Sequence, residues 1–181
     1  GSEDTSKPGG SALKNLIQNK FAGQLYVVNP KADNVQGQQT FHSVSELPQV
    51  DWAILAIPAK LCVDTVRELC ANKGCKAIII FSAGFNEESA EGGKLEKEIV
   101  SIVNQYGASL IGPNCIGVIT KSYAGVFTQP TSNVSEDGID IISGSGATVV
   151  FIMEAAIKLG LKFAHVFSVG NSAQLGVEEI L

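Results

Sequence analysis

Short, continuous apolar runs alternate with amphipathic stretches along this chain, and each run is stopped by proline, glycine or a small polar residue. Leu25-Tyr26-Val27-Val28 stops at Asn29-Pro30, and Trp52-Ala53-Ile54-Leu55-Ala56-Ile57 stops at Pro58. Ala77-Ile78-Ile79-Ile80-Phe81 gives way to Ser82-Ala83-Gly84-Phe85, and Ser109-Leu110-Ile111 to Gly112-Pro113. Proline cannot donate to a ladder and glycine permits a sharp exit, so these four sites read as strand ends. Between them apolar residues recur at helical spacing: Leu13, Leu16 and Ile17 behind a capping Ser11; Val63, Val66, Leu69 and Cys70; Leu95, Ile99, Ile102 and Val103. Ser43 and Glu46 add a short capping signal. Gly92-Gly93 reads as loop and Glu96-Lys97-Glu98 as a solvated helix face. Because the strand runs are continuous and not alternating, both faces of their sheet are expected to be covered. With right-handed crossovers, the pattern predicts an α/β fold with a doubly wound parallel sheet.

Past this unit the character changes. Thr120 to Asp137 is polar, contains Pro130 and shows no apolar period, which predicts a connection. Ile139 to Ile142 then starts a new strand, Ser143-Gly144-Ser145-Gly146-Ala147-Thr148 leads into a helix reaching about Leu159, and Phe163 to Val169 is a further strand. Gly170-Asn171-Ser172 is its turn, and a helix starts over Val177 to Leu181. Two strands cannot bury a sheet alone. The expected organisation is a first domain over 1–125, a linker over 126–137 and the beginning of a second domain over 138–181. A glycine-containing phosphate loop normally follows a strand, so a strand is expected to precede Gly1, the alternative being that Gly1-Ser2 is a cloning scar.

Composition narrows the partners. In 181 residues the net charge is −5, which gives no electrostatic reason to expect nucleic acid or an anionic membrane as partner. No apolar run is long enough to span a bilayer, and no signal peptide is visible. Cys62, Cys70, Cys75 and Cys115 lack the close pairing of a zinc site and stand far from His42 and His165, so no metal is expected. They read as reduced thiols of a cytoplasmic protein.

Candidate chemistry lies at the strand ends. Glycines leading into a helix offer free N–H groups to phosphate. An NAD-binding sheet carries an acid at the end of its second strand to hold the ribose, whereas this chain has Val28-Asn29-Pro30-Lys31 there. Lys31 would attract a phosphorylated ribose, which points to CoA or NADP. The small residues of Ile57-Pro58-Ala59 and Ser82-Ala83-Gly84 permit close approach of a ligand, although each also reads as an ordinary turn. Ser143-Gly144-Ser145-Gly146 is either a second anion site or a plain helix cap. Cys115 reads as a structural or ligand-lining thiol in preference to a nucleophile, and His165 as a core histidine.

The strings Gly112-Pro113-Asn114-Cys115-Ile116-Gly117-Val118 and Phe81-Ser82-Ala83-Gly84-Phe85 closely resemble the α part of succinyl-CoA synthetase and related NDP-forming acyl-CoA synthetases. The resemblance extends from the loop Ser2-Glu3-Asp4 through Lys7-Pro8-Gly9-Gly10 to Ser168-Val169-Gly170-Asn171. It implies a Rossmann-like CoA-binding domain followed by the start of a flavodoxin-like ligase domain. The CoA site would comprise Ser2, Lys7, Pro8, Asn29, Pro30, Lys31, Ile57, Pro58, Ala59, Ser82, Ala83 and Gly84, with Pro113, Asn114 and Cys115 near the thiol. Ser143, Gly144, Ser145 and Gly146 would bind phosphate. The implied reaction converts acyl-CoA, NDP and phosphate into acid, CoA and NTP through acyl phosphate and a phosphohistidine. That histidine is expected downstream of Leu181, so no catalytic residue is assigned and these residues alone should bind CoA without turnover. ATP/ADP or GTP/GDP with Mg would belong to an ATP-grasp (β-type) domain or subunit, in an oligomeric enzyme. Two other readings stand beside it: a noncatalytic CoA-sensing module of a protein acyltransferase, and an NADP-dependent oxidoreductase domain.

Overall fold

The computed structural model describes residues 1–128, 131 and 134–181. The first half runs α1 (Pro8–Gln18), β1 (Val27–Val28), β2 (Asn34–Val35), β3 (Gln38–Phe41), β4 (Trp52–Leu55), α2 (Ala59–Asn72), β5 (Ala77–Ile80), α3 (Ala90–Gln105) and β6 (Ser109–Ile111). It continues through β7 (Gly117–Thr120), β8 (Tyr123–Val126), β9 (Val134–Ser143), α4 (Gly146–Lys158), β10 (Phe163–Ser168) and α5 (Val177–Ile180). The architecture is α/β and Rossmann-like. Strands β4, β5 and β6 pair in parallel, in that order.

The continuous apolar runs are explained by cover on both faces. Leu55, Ile78, Ile80 and Leu110 pack against Val63, Val66 and Leu69 of α2 and Ile99 and Val103 of α3. The alternate residues Ile54, Ile79 and Ile111 face Ala12 and Leu16 of α1 together with Val118 and Tyr123. Ile78, Ile79 and Ile80 are each at most 1% exposed, so this strand has no wet face. A second small sheet holds β1 parallel to β3, with β2–β3 a hairpin whose turn places Gln36 and Gly37 at positive φ.

Four details depart from the sequence reading. Helix α1 starts at Pro8 in the first helical turn, not behind Ser11, whose hydroxyl instead donates to the Phe127 carbonyl at 2.8 Å. Gly92 and Gly93 lie inside α3, because a methyl on Gly92 would come within 2.2 Å of the Phe85 carbonyl oxygen. Glu96 is half-buried and hydrogen-bonded to Asn171, so that helix face is not wholly solvated. The stretch 120–137 is not simply a connection: it holds β8 and the first residues of β9, while Pro130 lies outside the described residues.

The sheet that includes the later strands accordingly has four, in the order β8-β7-β10-β9. Strands β9 and β10 are parallel across α4, and β7 runs antiparallel to β10. The hairpin β7–β8 supplies the two strands that the sequence reading lacked. Val149, Met153 and Ala156 of α4 close this sheet against Ile119, Val126, Phe163 and Val166. No helix among the described residues is long and apolar enough to cross a membrane.

Candidate functional site

The strand ends read from sequence fall along one rim, joined by an unbroken series of contacts. Asn29 closes a small turn after β1: its Oδ1 accepts from the N–H groups of Lys31 and Ala32, and its Nδ2 donates to the Gly1 carbonyl at 3.0 Å. This turn holds the backbone of Lys31 while its side chain stays exposed, and no described carboxylate pairs with it. The loop 1–10 is folded by Asp4, which accepts from the Ser6 N–H and hydroxyl, by a Lys7–Asp4 contact of 3.9 Å, and by Gln36. Those Ser6 bonds come first in holding the Asp4 carboxyl below its ordinary value, with the Lys7 charge adding to them. Gln36 Nε2 donates to both the Ser2 and Gly10 carbonyls, at 2.8 and 2.9 Å. Gly10 must be glycine, since a Cβ there would stand 2.1 Å from the Asp4 carbonyl oxygen.

At the next strand end, a methyl on Gly9 would lie 3.2 Å from the Ala56 methyl, which sets the start of α1 against the exit of β4. The Ser82 hydroxyl donates to the Ile57 carbonyl, tying the exit of β5 to that of β4. Gly84, at φ +102, approaches Ala59 to 3.2 Å as measured from a built methyl. The Asn114 N–H donates to the Ser82 carbonyl at 3.0 Å, bringing the exit of β6 into line. Ser2, Asn29 to Lys31, Ile57 to Ala59, Ser82 to Gly84 and Pro113-Asn114 therefore share this rim. Lys7 and Pro8 belong to it through the N-terminus of α1.

That N-terminus is open. Pro8 has no N–H to satisfy, Lys7 provides no side-chain cap, and the first turn contains no acid. The N-terminus of α2 behind Pro58 likewise has no side-chain cap. The Gly10 and Leu61 N–H groups close onto the Lys7 and Pro58 carbonyls, so the N–H groups of Gly9, Ala59 and Lys60, with the positive helix ends, are what the two helices direct at the rim.

Cys115 is placed differently from the ligand-lining expectation. It is 2% exposed, its thiol donates to the Ile80 carbonyl at 3.3 Å, and burial pushes its pKa up to about 12. It stays a neutral thiol in the core, and what it offers the rim is backbone. Asn114 beside it is exposed, at φ +58.

The segment 143–146 comes to the same end of the molecule. The Val169 N–H donates to the Ser143 carbonyl, and a methyl on Gly144 would lie 3.6 Å from the Gly170 carbonyl oxygen. Gly170 in turn presses on Pro113, where a Cβ would come within 2.2 Å of the carbonyl oxygen. Ser145 caps α4 by accepting from the Thr148 N–H at 3.3 Å, and Ser143 Oγ accepts from the Ser145 N–H. The local geometry is thus a capped helix start set next to Asn114. His165 is half-exposed, not a core residue, and its Nδ1 lies 2.8 Å from Asp140. His42 directly follows β3, level with Asn29 across the parallel β1–β3 pair, and its Nε2 lies 3.1 Å from Asp33.

Sequence reasoning missed three residues that organise the rim: Gln36, Glu87 and Asn171 as a side-chain partner. Gln36 acts across 26 and 34 residues, and no local pattern marks it. Glu87 accepts from the Gly84 and Phe85 N–H groups and from Asn171. Desolvation works to raise its pKa, but those hydrogen bonds prevail and hold it below the ordinary value.

The family described as CoA binding domain matches residues 1–121. A trans-feruloyl-CoA synthase from an unknown prokaryotic organism is 39% identical over 177 residues, which are 94% of this chain and 25% of that protein. The α subunit of acetate–CoA ligase [ADP-forming] II of Pyrococcus furiosus is 36% identical over 181 residues, covering 99% of this chain and 39% of the subunit. Among solved structures, an acetyl-coenzyme A synthetase 1 of Ca. Korarchaeum cryptofilum, described as dinucleotide-forming and holding phosphate and ADP, superposes with a TM-score of 0.90. It is 28% identical, over 99% of this chain and 38% of that one. The chain thus spans between a quarter and two-fifths of the length of these relatives.

Proposed function

This chain belongs to the CoA-binding domain family, and we propose that it is the CoA-binding portion of an NDP-forming acid–CoA ligase. The observation that carries this reading is the rim itself, where two uncapped helix starts and an unpaired lysine surround a line of small residues. Each feature has a counterpart in CoA. Lys31 meets the 3′-phosphate, and the start of α1 receives the pyrophosphate with Ser2, Lys7 and Pro8 around it. Asn29 and Pro30 fix the turn that presents Lys31. Ile57-Pro58-Ala59 and Ser82-Ala83-Gly84 let the pantetheine arm lie close to backbone. Pro113, Asn114 and the Cys115 backbone receive the thiol end.

In the reaction so proposed, phosphate attacks the thioester carbonyl, the C–S bond breaks, and CoA departs as thiolate from beside Asn114. The acyl phosphate then yields its phosphoryl group by way of a histidine outside these residues to NDP held by an ATP-grasp part. Ser143, Gly144, Ser145 and Gly146 are the phosphate-side loop of this chain, set against the thiol end through Gly170. A β-type domain or subunit carrying nucleotide and Mg is the partner, in an oligomeric cytoplasmic enzyme. The relatives named for ferulate and for acetate align over the same residues.

Calorimetric titration with CoA, dephospho-CoA, NADP and NAD tests the reading. CoA should bind best and dephospho-CoA more weakly. Tighter binding of NADP than of CoA would overturn it.

A further inference from the structure

The side-chain amides on the rim are not free to choose their orientation. Asn171 Nδ2 donates to the carboxylates of both Glu87 and Glu96, the latter at 2.8 Å. An ionised carboxylate only accepts hydrogen bonds. Flipping the Asn171 amide would set its oxygen against two carboxylates, so the NH2 group is committed to them. Its Oδ1 therefore turns the other way, and lies 3.4 Å from Asn114 Nδ2. Asn114 must in turn direct its own NH2 at Asn171. Its backbone cannot relieve this, because the Asn114 N–H is bound to the Ser82 carbonyl and the Asn171 N–H to the Pro113 carbonyl. The atom of Asn114 left over is Oδ1, on an exposed residue at the exit of β6.

We propose that Glu87 and Glu96 act through Asn171 as positioning residues that fix the polarity of Asn114, so that the rim presents a hydrogen-bond acceptor to its ligand. The ligand group it selects is a donor. On the CoA reading, on which this inference rests, that donor is either the thiol S–H or a pantetheine amide N–H. The ionised state of Glu87 is maintained by the hydrogen bonds it accepts, which hold its carboxyl below the ordinary range despite partial desolvation.

The test is calorimetry of the chain with CoA, desulfo-CoA and 3′,5′-ADP, a ligand that lacks pantetheine. Glu87→Gln combined with Glu96→Gln leaves the Asn171 amide free to flip and should weaken CoA by up to about 10-fold, the equivalent of one lost hydrogen bond, with 3′,5′-ADP unchanged. Adding Asn171→Asp sets an acceptor-only group towards Asn114 with donors facing it from both glutamines, so CoA binding should recover. Asn114→Leu removes the acceptor and should match the loss whether or not the double variant folds. If the donor is the thiol, these variants bind CoA and desulfo-CoA alike; if it is the amide, both ligands weaken together. Parallel loss of 3′,5′-ADP, full CoA affinity in Asn114→Leu, or a folded triple variant that does not recover would each overturn the proposal. A parent chain that binds neither CoA nor 3′,5′-ADP would overturn the site reading itself, and the inference with it.

Discussion

Helices α1 and α2 start without a side-chain cap, whereas α3 and α4 are capped by Ser89 and Ser145. The open start of α1 packs on Ala56 and that of α2 follows Ile57-Pro58, whereas the capped start of α4 adjoins Asn114 through Gly170. An uncapped N-terminus forgoes about 1 kcal/mol that a serine or aspartate would contribute. In α1 the first turn is also free of acid, and with Pro8 lacking an N–H and the Gly10 N–H bound to the Lys7 carbonyl, the donor left for a ligand is that of Gly9. The contrast separates a surface that keeps donors for a multiply charged ligand from one whose donors are partly satisfied by the chain. On the proposed function the first holds the phosphates of CoA while its thioester reacts, and the second meets inorganic phosphate.

The largest blow to the open side should come from Gly10→Val. With a Cβ 2.1 Å from the Asp4 carbonyl oxygen, the loop 1–10 cannot keep its path. A loss of about 2–4 kcal/mol is expected in urea unfolding, together with CoA binding. Next is Lys31→Glu, which should raise the Kd for CoA by about 10- to 100-fold, as for loss of one charge-assisted contact, while dephospho-CoA changes far less. Equal losses for the two ligands would show that Lys31 does not meet the 3′-phosphate. On the capped side, Ser145→Ala should cost about 1 kcal/mol of stability, read as a lower Tm. An unchanged Tm would mean that α4 starts as openly as α1.

A smaller effect follows from Glu87, whose folded pKa is depressed. Its contribution is fully present above the unfolded carboxylate value and is lost as pH falls through the folded value. Folding stability should therefore decline on acidification in that window, read by urea unfolding, and Glu87→Gln should flatten the decline. The thiols supply a control. Cys62, Cys70, Cys75 and Cys115 are all buried, and burial pushes Cys115 up to about 12. Native protein at pH 8 should resist iodoacetamide, and denatured protein should take four labels, counted by mass spectrometry.

The parallel core was legible because its signals are local. Pro58 and Gly112-Pro113 stop strands by their own covalent structure, and the Ala77–Phe81 run announces two covered faces within five residues. What escaped the sequence depends on contacts across the chain. Ser11 looked like a cap until Phe127 supplied its acceptor, and Gly92 looked like a loop because the Phe85 carbonyl that demands its small size is a tertiary neighbour. Tyr123 to Val126 is a short strand with Ala124 and Gly125 at its centre, which carries little strand signal. A methyl on Gly117 would come within 2.0 Å of the Gly125 carbonyl oxygen, so that hairpin is set by close backbone approach and not by an apolar pattern. Cys115 shows the same limit at the rim. Its position in the chain was readable, but the direction of its side chain was not.

After β10 the chain runs back along β6, with the N–H groups of Asn171, Ala173 and Leu175 bound to the carbonyls of Pro113, Gly112 and Leu110. Gln174 Oε1 accepts from the Leu110 N–H at 2.6 Å. Sliding one sheet past the other would break this seam bond by bond. The Pro113-Asn114 turn and the serine-glycine turn are therefore held in one block, and on the proposed function reactants would pass between them without movement of the two sheets.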